Sequence, residues 1–527
     1  MAKNVVICSD GTGNTSIMGR GTNVFKLFEA IDLNGHRTDP AARPQIAFYD
    51  DGVGTSNFKL WKIVTGAFGL GLSRNVRQLY KELVRVYDGG PNPDQIFLFG
   101  FSRGAFTIRT LAGLIANQGI LPRRPDDDPL TLDWRIKQAY KAYRRCYRPW
   151  LWRQWPWSKL FPVPDRAQAR DAPRIRFIGV WDTVDAVGLP FHIGDFWNRV
   201  VYQFKFESRD LSTIVDQACH ALSIDDERAE FAPVLWNETN DRGRIEQVWF
   251  AGVHSNVGGG YPKQGMSLVA LDWMMEKAHH AGLRFLAADR EAYRAHANVD
   301  DKLYDPRAGL GIFYRWKPRD IAQLCRQAGI SQPAIHVSVL ERLAHGTEDY
   351  VPGNIPDQAQ VWPTPQADAT ANAFMATRAA ALGAVIGASR PNMLPEVHGA
   401  IRAGLASYYL YLASCTAAVL FIITGGNLAA LGTNPLGTIG SAATLIGQVM
   451  SLDFTAWSTV AYVPIEHPRT WGGLTVAFLF SLLLSLRADH RMTAKFAHFW
   501  QRQQQLLREA LKATRAPAAQ ETRVSSS

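Results

Sequence analysis

The feature that most limits what this chain can fold into is an apolar run that stops at a serine between two glycines. Residues 96–106 read IFLFGFSRGAF. Ile96 to Phe99 shows no polar alternation, as expected of a strand covered on both faces of a parallel sheet. Ala105, Ile108, Leu111, Ala112 and Ile115 then recur at helical spacing, so a helix follows almost without a loop. So abrupt a corner strains the backbone at its apex. Gly100 and Gly104, two before and two after Ser102, let neighbouring backbone come close. The Ser102 hydroxyl is then presented at the top of the sheet as a nucleophile would be; the plainer alternative is an ordinary strand-to-helix turn. The Arg103 N–H, at the start of the following helix, would face a developing oxyanion.

The same alternation recurs along the N-terminal half. Asn4 to Cys8 and Gln45 to Tyr49 read as strands ending in the loops SDGTGNT and DDGVGT, with helical patterns at 23–31 and 75–87. Later strands are expected within RIRFIGVWDTV (174–184) and IEQVWFAGVHSNVGGGY (245–261). This is the signal of a doubly wound, mostly parallel α/β sheet. Residues 123–172 interrupt it with a helical insertion in which Trp150, Trp152, Trp155 and Trp157 stand among arginines. Such a mixture suits a lid or a membrane interface, and equally a partly buried helical insertion with solvated arginines.

The C-terminal part has a different character. After a linker or helical stretch at 351–400, no charged side chain occurs from Ala403 to Leu452. Residues 403–424 suffice to cross a bilayer, and a further apolar run, 470–486, ends in RADHR. We expect a C-terminal α-helical membrane region over 401–490 with two spanning helices. Residues 437–452 would be re-entrant, interfacial or a further span, and 491–527 a basic helical tail with a disordered end. Arg402 and Arg487 flank the outer spans, which places both basic ends on one side. The expectation is a multi-pass protein of the inner membrane with a cytosolic catalytic domain.

A serine hydroxyl needs a base, and the base needs an acid to orient it. Asp182 follows the apolar run FIGVW, and His254 follows VWFAGV. Both stand at strand ends in the order nucleophile, acid, histidine. Asp225 is an alternative acid and His336, after the strand-like AIHVSV, an alternative base. A second oxyanion donor is expected from the loop after the first strand, where Gly11 and Thr12 are candidates; a turn held by Asp10 and Asn14 explains the same residues. The stretch DGTGN also invites a phosphatase reading, but Cys8 occupies the place where that chemistry requires an aspartate.

Composition narrows the remaining classes. The net charge is +10, yet no nucleic-acid recognition signature accompanies it, and the five cysteines form no C-x-x-C, so neither a zinc site nor a disulfide framework is expected. No cofactor or metal is called for. The N-terminal apolar stretch is too short for a signal peptide.

Five ordered segments carry a family resemblance: CSDGTGNT (8–15), FGFSRGAFTIRTLAGLI (99–115), FIGVWDTVDAVG (177–188), HALSIDDERAEFAPVLW (220–236) and VWFAGVHSNVGGGY (248–261). Together they resemble an α/β-hydrolase family, long catalogued as of unknown function, that includes phospholipase effectors of the bacterial type VI secretion system. The resemblance covers about residues 1–350. It implies a lipase-type serine esterase with Ser102, Asp182 and His254 as its triad, acting on a lipid or ester substrate. A secretion-system or immunity partner, and delivery to a target cell, would follow for an effector. Hydrolysis of small soluble esters, or a non-catalytic scaffold on the same fold, are the alternatives.

Overall fold

The computed structural model describes residues 2–11, 21–51, 68–124, 127–146, 173–184, 209–241, 243–307, 314, 316–356, 358–366, 368–387, 394–426 and 454–514, with isolated positions at 437, 440 and 444. The Trp-rich stretch 150–157, Thr12 and most of 437–452 lie outside the described residues.

Apolar runs without alternation become strands here because both sheet faces are covered. Eight described strands are β1 (Asn4–Ser9), β2 (Gln45–Asp50), β3 (Gln95–Phe101), β4 (Ile175–Trp181), β5 (Ala218–Ser223), β6 (Ile245–Phe250), β7 (Ala334–His336) and β8 (Gln360–Trp362). They form one sheet in the order β2-β1-β3-β4-β5-β6-β7-β8, and every described pairing is parallel. The helices used below are α1 (Asn23–Glu29), α2 (Phe68–Val86), α3 (Arg103–Gln118), α4 (Pro129–Cys146), α5 (His254–Gly258), α6 (Gly265–His280), α7 (Val337–His345), α8 (Ala369–Gly387), α9 (Leu394–Ile423), α10 (Phe454–Glu466) and α11 (Pro468–Ala513).

Side-chain alternation along each strand feeds two separate cores. Val5, Ile7, Ile96, Leu98, Ile178 and Val180 point into one, closed by Leu79 and Leu83 of α2, Ile108 and Leu111 of α3, and Ile136 of α4. Val6, Cys8, Phe97, Phe99, Phe177 and Trp181 point into the other, closed by Val24 and Leu27 of α1 and by Leu271 and Met274 of α6. The sheet continues past residue 350, where α8 lies against β8 and buries Leu382 and Ile386.

The chain divides into two compact units, one of residues 1–314, 318–392 and 499–527, the other of 315–317 and 393–498. In the second unit α9 contains an apolar stretch, Arg402–Ile423, of spanning length, and α11 begins with a shorter one, Pro468–Leu484. The helix α8 also passes that length and hydropathy test, although it belongs to the sheet-bearing unit. The apolar run at 470–486 and the basic segment after it are one 46-residue helix without a break at Arg487. Its last turns return to the first unit, where Trp500 is fully buried and donates its indole N–H to the Pro352 carbonyl at 2.7 Å.

Close approach at the end of β1 explains why the serine's neighbours are glycines. A Cβ on Gly104 would fall 2.1 Å from the Ser9 carbonyl oxygen, and one on Gly100 2.7 Å from the Gly104 carbonyl oxygen. Both obstacles are backbone and cannot swing away. Gly104→Ala should therefore destabilise the protein by roughly 1–3 kcal/mol, while Gly90→Ala, whose Cβ would meet nothing nearer than 3.5 Å, should fall within about 0.5 kcal/mol of the parent. Equal denaturant midpoints for the two variants would refute the crowding argument.

Candidate active site

Parallel sheets open a crevice where the strand order reverses. Here β1 pairs with β2 on one side and β3 on the other, so the crevice lies beyond the carboxyl ends of β1 and β3. Ser102 stands there, between β3 and α3. Its backbone takes φ 58° and ψ −121°, a conformation unusual for a residue with a side chain. Its N–H is engaged by the Trp181 carbonyl at 3.0 Å, which ties the turn to the end of β4.

Asp182 follows β4, also at positive φ (36°), and is completely buried. His254 opens α5 beyond β6. Two aspartates of the HALSIDDERAEF segment secure its backbone: Asp226 accepts the His254 N–H at 3.2 Å, and Asp225 accepts the Gly252 N–H at 2.6 Å. The imidazole lies between the Phe101 ring at 4.6 Å and the Phe231 ring, edge-on, at 5.1 Å.

The three side chains meet in one line. His254 Nε2 lies 2.8 Å from Ser102 Oγ, and His254 Nδ1 lies 2.6 Å from Asp182 Oδ2. The carboxylate assigns the proton to Nδ1, which leaves Nε2 free to accept from the serine hydroxyl. Burial holds the imidazole below its ordinary pKa against the opposing pull of Asp182, so it is neutral near pH 7. Burial alone would push Asp182 upward, but the Arg319 charge and its hydrogen bonds, then the His254 hydrogen bond, hold it well below the carboxylate range. A neutral base on a hydroxyl, with an ionised acid behind it, is an arrangement able to make an alkoxide nucleophile.

The other candidates lie elsewhere. His336 stacks on Phe250 at 4.5 Å and bonds Ser338 Oγ at 2.8 Å and Thr364 Oγ1 at 3.1 Å, and burial pushes it down to about 3. Asp225 accepts from Gly252 and from the Tyr350 hydroxyl at 3.0 Å rather than from His254. Gly11 donates its N–H to Asp10 Oδ1 at 2.6 Å, and Asp10 also receives the Thr22 and Tyr49 hydroxyls. The Arg103 backbone occupies the first position of α3.

Three further residues, none of them a sequence candidate, support Asp182. Arg319 grips Asp182 with both terminal nitrogens, at 2.7 and 2.8 Å. Ser223, at the end of β5, donates its N–H to Asp182 at 3.0 Å and its hydroxyl at 3.2 Å. His220 accepts the Thr183 N–H at 3.1 Å and so supports the residue after Asp182.

Comparisons with known proteins bear on the same residues. A family model described as "T6SS, Phospholipase effector Tle1-like, catalytic domain" matches residues 3–277, just over half of the chain. The uncharacterized protein YEL023C of Saccharomyces cerevisiae is 27% identical over 248 residues, covering 44% of this chain and 32% of that protein. The chain thus spans about a third of the length of that curated relative. A solved structure of an uncharacterized protein from Pseudomonas aeruginosa aligns with 18% identity and a TM-score of 0.33, covering 75% of this chain and 61% of the other. The Tle1 effector bound to the VgrG spike from the type 6 secretion system aligns with 14% identity and a TM-score of 0.31, covering 59% of this chain and 78% of the other.

The environment of Asp225 has a measurable signature. Burial pushes its carboxyl up to about 6, against the Gly252 and Tyr350 hydrogen bonds. An acid raised above its unfolded value of about 3.9 contributes stability that is complete below that value and is lost as pH rises through the folded pKa. Asp225→Asn should remove part of the fall in melting temperature that the parent shows between about pH 4 and 7. Melting curves that stay parallel across this window would show that Asp225 does not titrate there.

Proposed function

Because the chain belongs to the catalytic-domain family of Tle1-like type VI secretion phospholipase effectors, we propose that it is a lipase-type serine hydrolase that cleaves the carboxylic esters of lipids. Ser102 attacks the acyl carbonyl while His254 takes its proton and then returns it to the leaving alcohol. Asp182 keeps the imidazole in the productive tautomer, and water later releases the acyl group by the same proton path. The observation that carries this reading is the unbroken hydrogen-bonded line from Ser102 through His254 to Asp182. The Arg103 N–H is the proposed oxyanion donor at the helix N-terminus; the Gly11 N–H, spent on Asp10 Oδ1, is not available as the second.

We further propose that the second unit holds the enzyme against lipid. Val476, Leu479, Phe480, Leu483 and Leu486 of α11 are all at least half exposed, more apolar surface on one helix than water favours. Membership in an effector family favours delivery to a target cell over residence in the producer's own inner membrane. Full-length protein is expected to sediment with lipid vesicles and to resist a carbonate wash; recovery entirely in the soluble fraction would remove the lipid-contact proposal.

Ser102→Ala should lower ester hydrolysis by about 10⁴–10⁶-fold, as loss of a triad member does, with little change in melting temperature. His254→Ala should be comparably damaging, whereas His336→Ala, if it folds, should retain far more activity. A Ser102→Ala variant that still hydrolyses p-nitrophenyl esters at parental rates would end the serine-hydrolase reading, and the reverse ranking of the histidines would move the base.

A further inference from the structure

We infer that Arg319, which lies outside the family-matched residues 3–277, is a positioning residue of this site: its guanidinium fixes the Asp182 carboxylate and cancels its charge, weakening the hold of Asp182 on the His254 proton. The inference rests on the proposed Ser102–His254–Asp182 assignment.

The geometry is that of a planar fork on a planar acceptor. Arg319 Nη1 donates to Asp182 Oδ1 at 2.7 Å and Nη2 to Oδ2 at 2.8 Å. Both side chains are essentially withdrawn from water, 2% and 0% exposed. The same nitrogens also donate to the carbonyls of Ser223 at 2.5 Å and Phe231 at 2.7 Å. Asn354 binds the Arg319 carbonyl at 3.1 Å and the Ile224 carbonyl at 2.8 Å, anchoring the arginine to the end of β5. Asp182 therefore has no freedom to rotate, and Phe231, whose ring touches His254, is tied to the same group.

The charges around the base are balanced. Asp182 faces Arg319, and Asp226, which receives the His254 N–H, faces Arg228 at 2.6 Å. Arg228 in turn lies over the Phe231 ring, 3.5 Å from its centroid. Asp225, behind Gly252, is bonded to that N–H and to the Tyr350 hydroxyl, and Ser102 and Phe101, which also touch the ring among the described residues, are uncharged. An aspartate without a counter-charge would attract the imidazolium strongly and keep the histidine protonated to higher pH. With its charge cancelled, Asp182 orients the ring without holding the proton so firmly, and His254 remains a free base at lower pH.

The test measures kcat/KM against pH for p-nitrophenyl butyrate in detergent, using the full chain with Arg319→Gln and Arg319→Lys. For Arg319→Gln, the acid limb should move upward by about one pH unit or more, with a lower kcat and a KM within about twofold of the parent. Arg319→Lys should keep the limb close to the parent while losing part of kcat, because it restores the charge but not the fork. An acid limb that stays in place in an active Arg319→Gln variant would overturn the inference. If Arg319→Gln does not fold, the His254 ring can be titrated by NMR in the parent, where a pKa below that of a free histidine is expected and one at or above it would overturn the inference equally. Parental activity in Ser102→Ala would instead sink the hydrolase reading, a result that the NMR titration does not share.

Discussion

A carboxylate taken wholly out of water must be repaid in hydrogen bonds or it will not remain ionised. Asp182 is that carboxylate. It receives donors from Arg319, Ser223 and His254. Those donors come from the ends of β5 and β6 and from a segment preceding β7, so the acid draws the carboxyl end of half the sheet to one point. The strained corner at Ser102 gains its fixed position from the other direction, through β1, whose last carbonyls press on Gly104. His254 lies between these two constraints, and its distances to Ser102 and Asp182 follow from them.

Much of this was legible in the amino-acid order. The serine corner, the apolar run before Asp182 and the run before His254 all announce strands that must be covered on both sides, and such strands end at one edge of a parallel sheet. β5 was harder to see. Its ACHALS is short and small and shows no apolar run, although His220 and Ser223 within it are fully buried and bonded. β8 is three residues long and only partly covered, so no apolar run marks it. Arg319 had no signal at all: a lone arginine after a proline is indistinguishable from a surface residue until the fold brings it to the acid. His336 shows the converse. Its strand-end position looks catalytic, yet its ring is consumed by Ser338, Thr364 and Phe250.

The second unit poses a different physical problem from the first. In the sheet-bearing unit, apolar residues of the strands and flanking helices gather in two cores. On α11 the apolar side chains from Val476 to Leu486 remain outside, although the same helix ends with Trp500 fully buried in the first unit. One helix thus begins in apolar surface and finishes as an ordinary packed element.

The distances along the chain between the site's members have a kinetic meaning. Ser102 and His254 are 152 positions apart, Asp182 and His254 are 72 apart, and Asp182 and Arg319 are 137 apart. No pair can form from local structure alone, and each contact closes a long loop whose entropy must be overcome first. These three contacts therefore depend on the long-range pairing of the sheet and not on any local element. A partly folded copy would carry Ser102, His254 and Asp182 without yet holding them together.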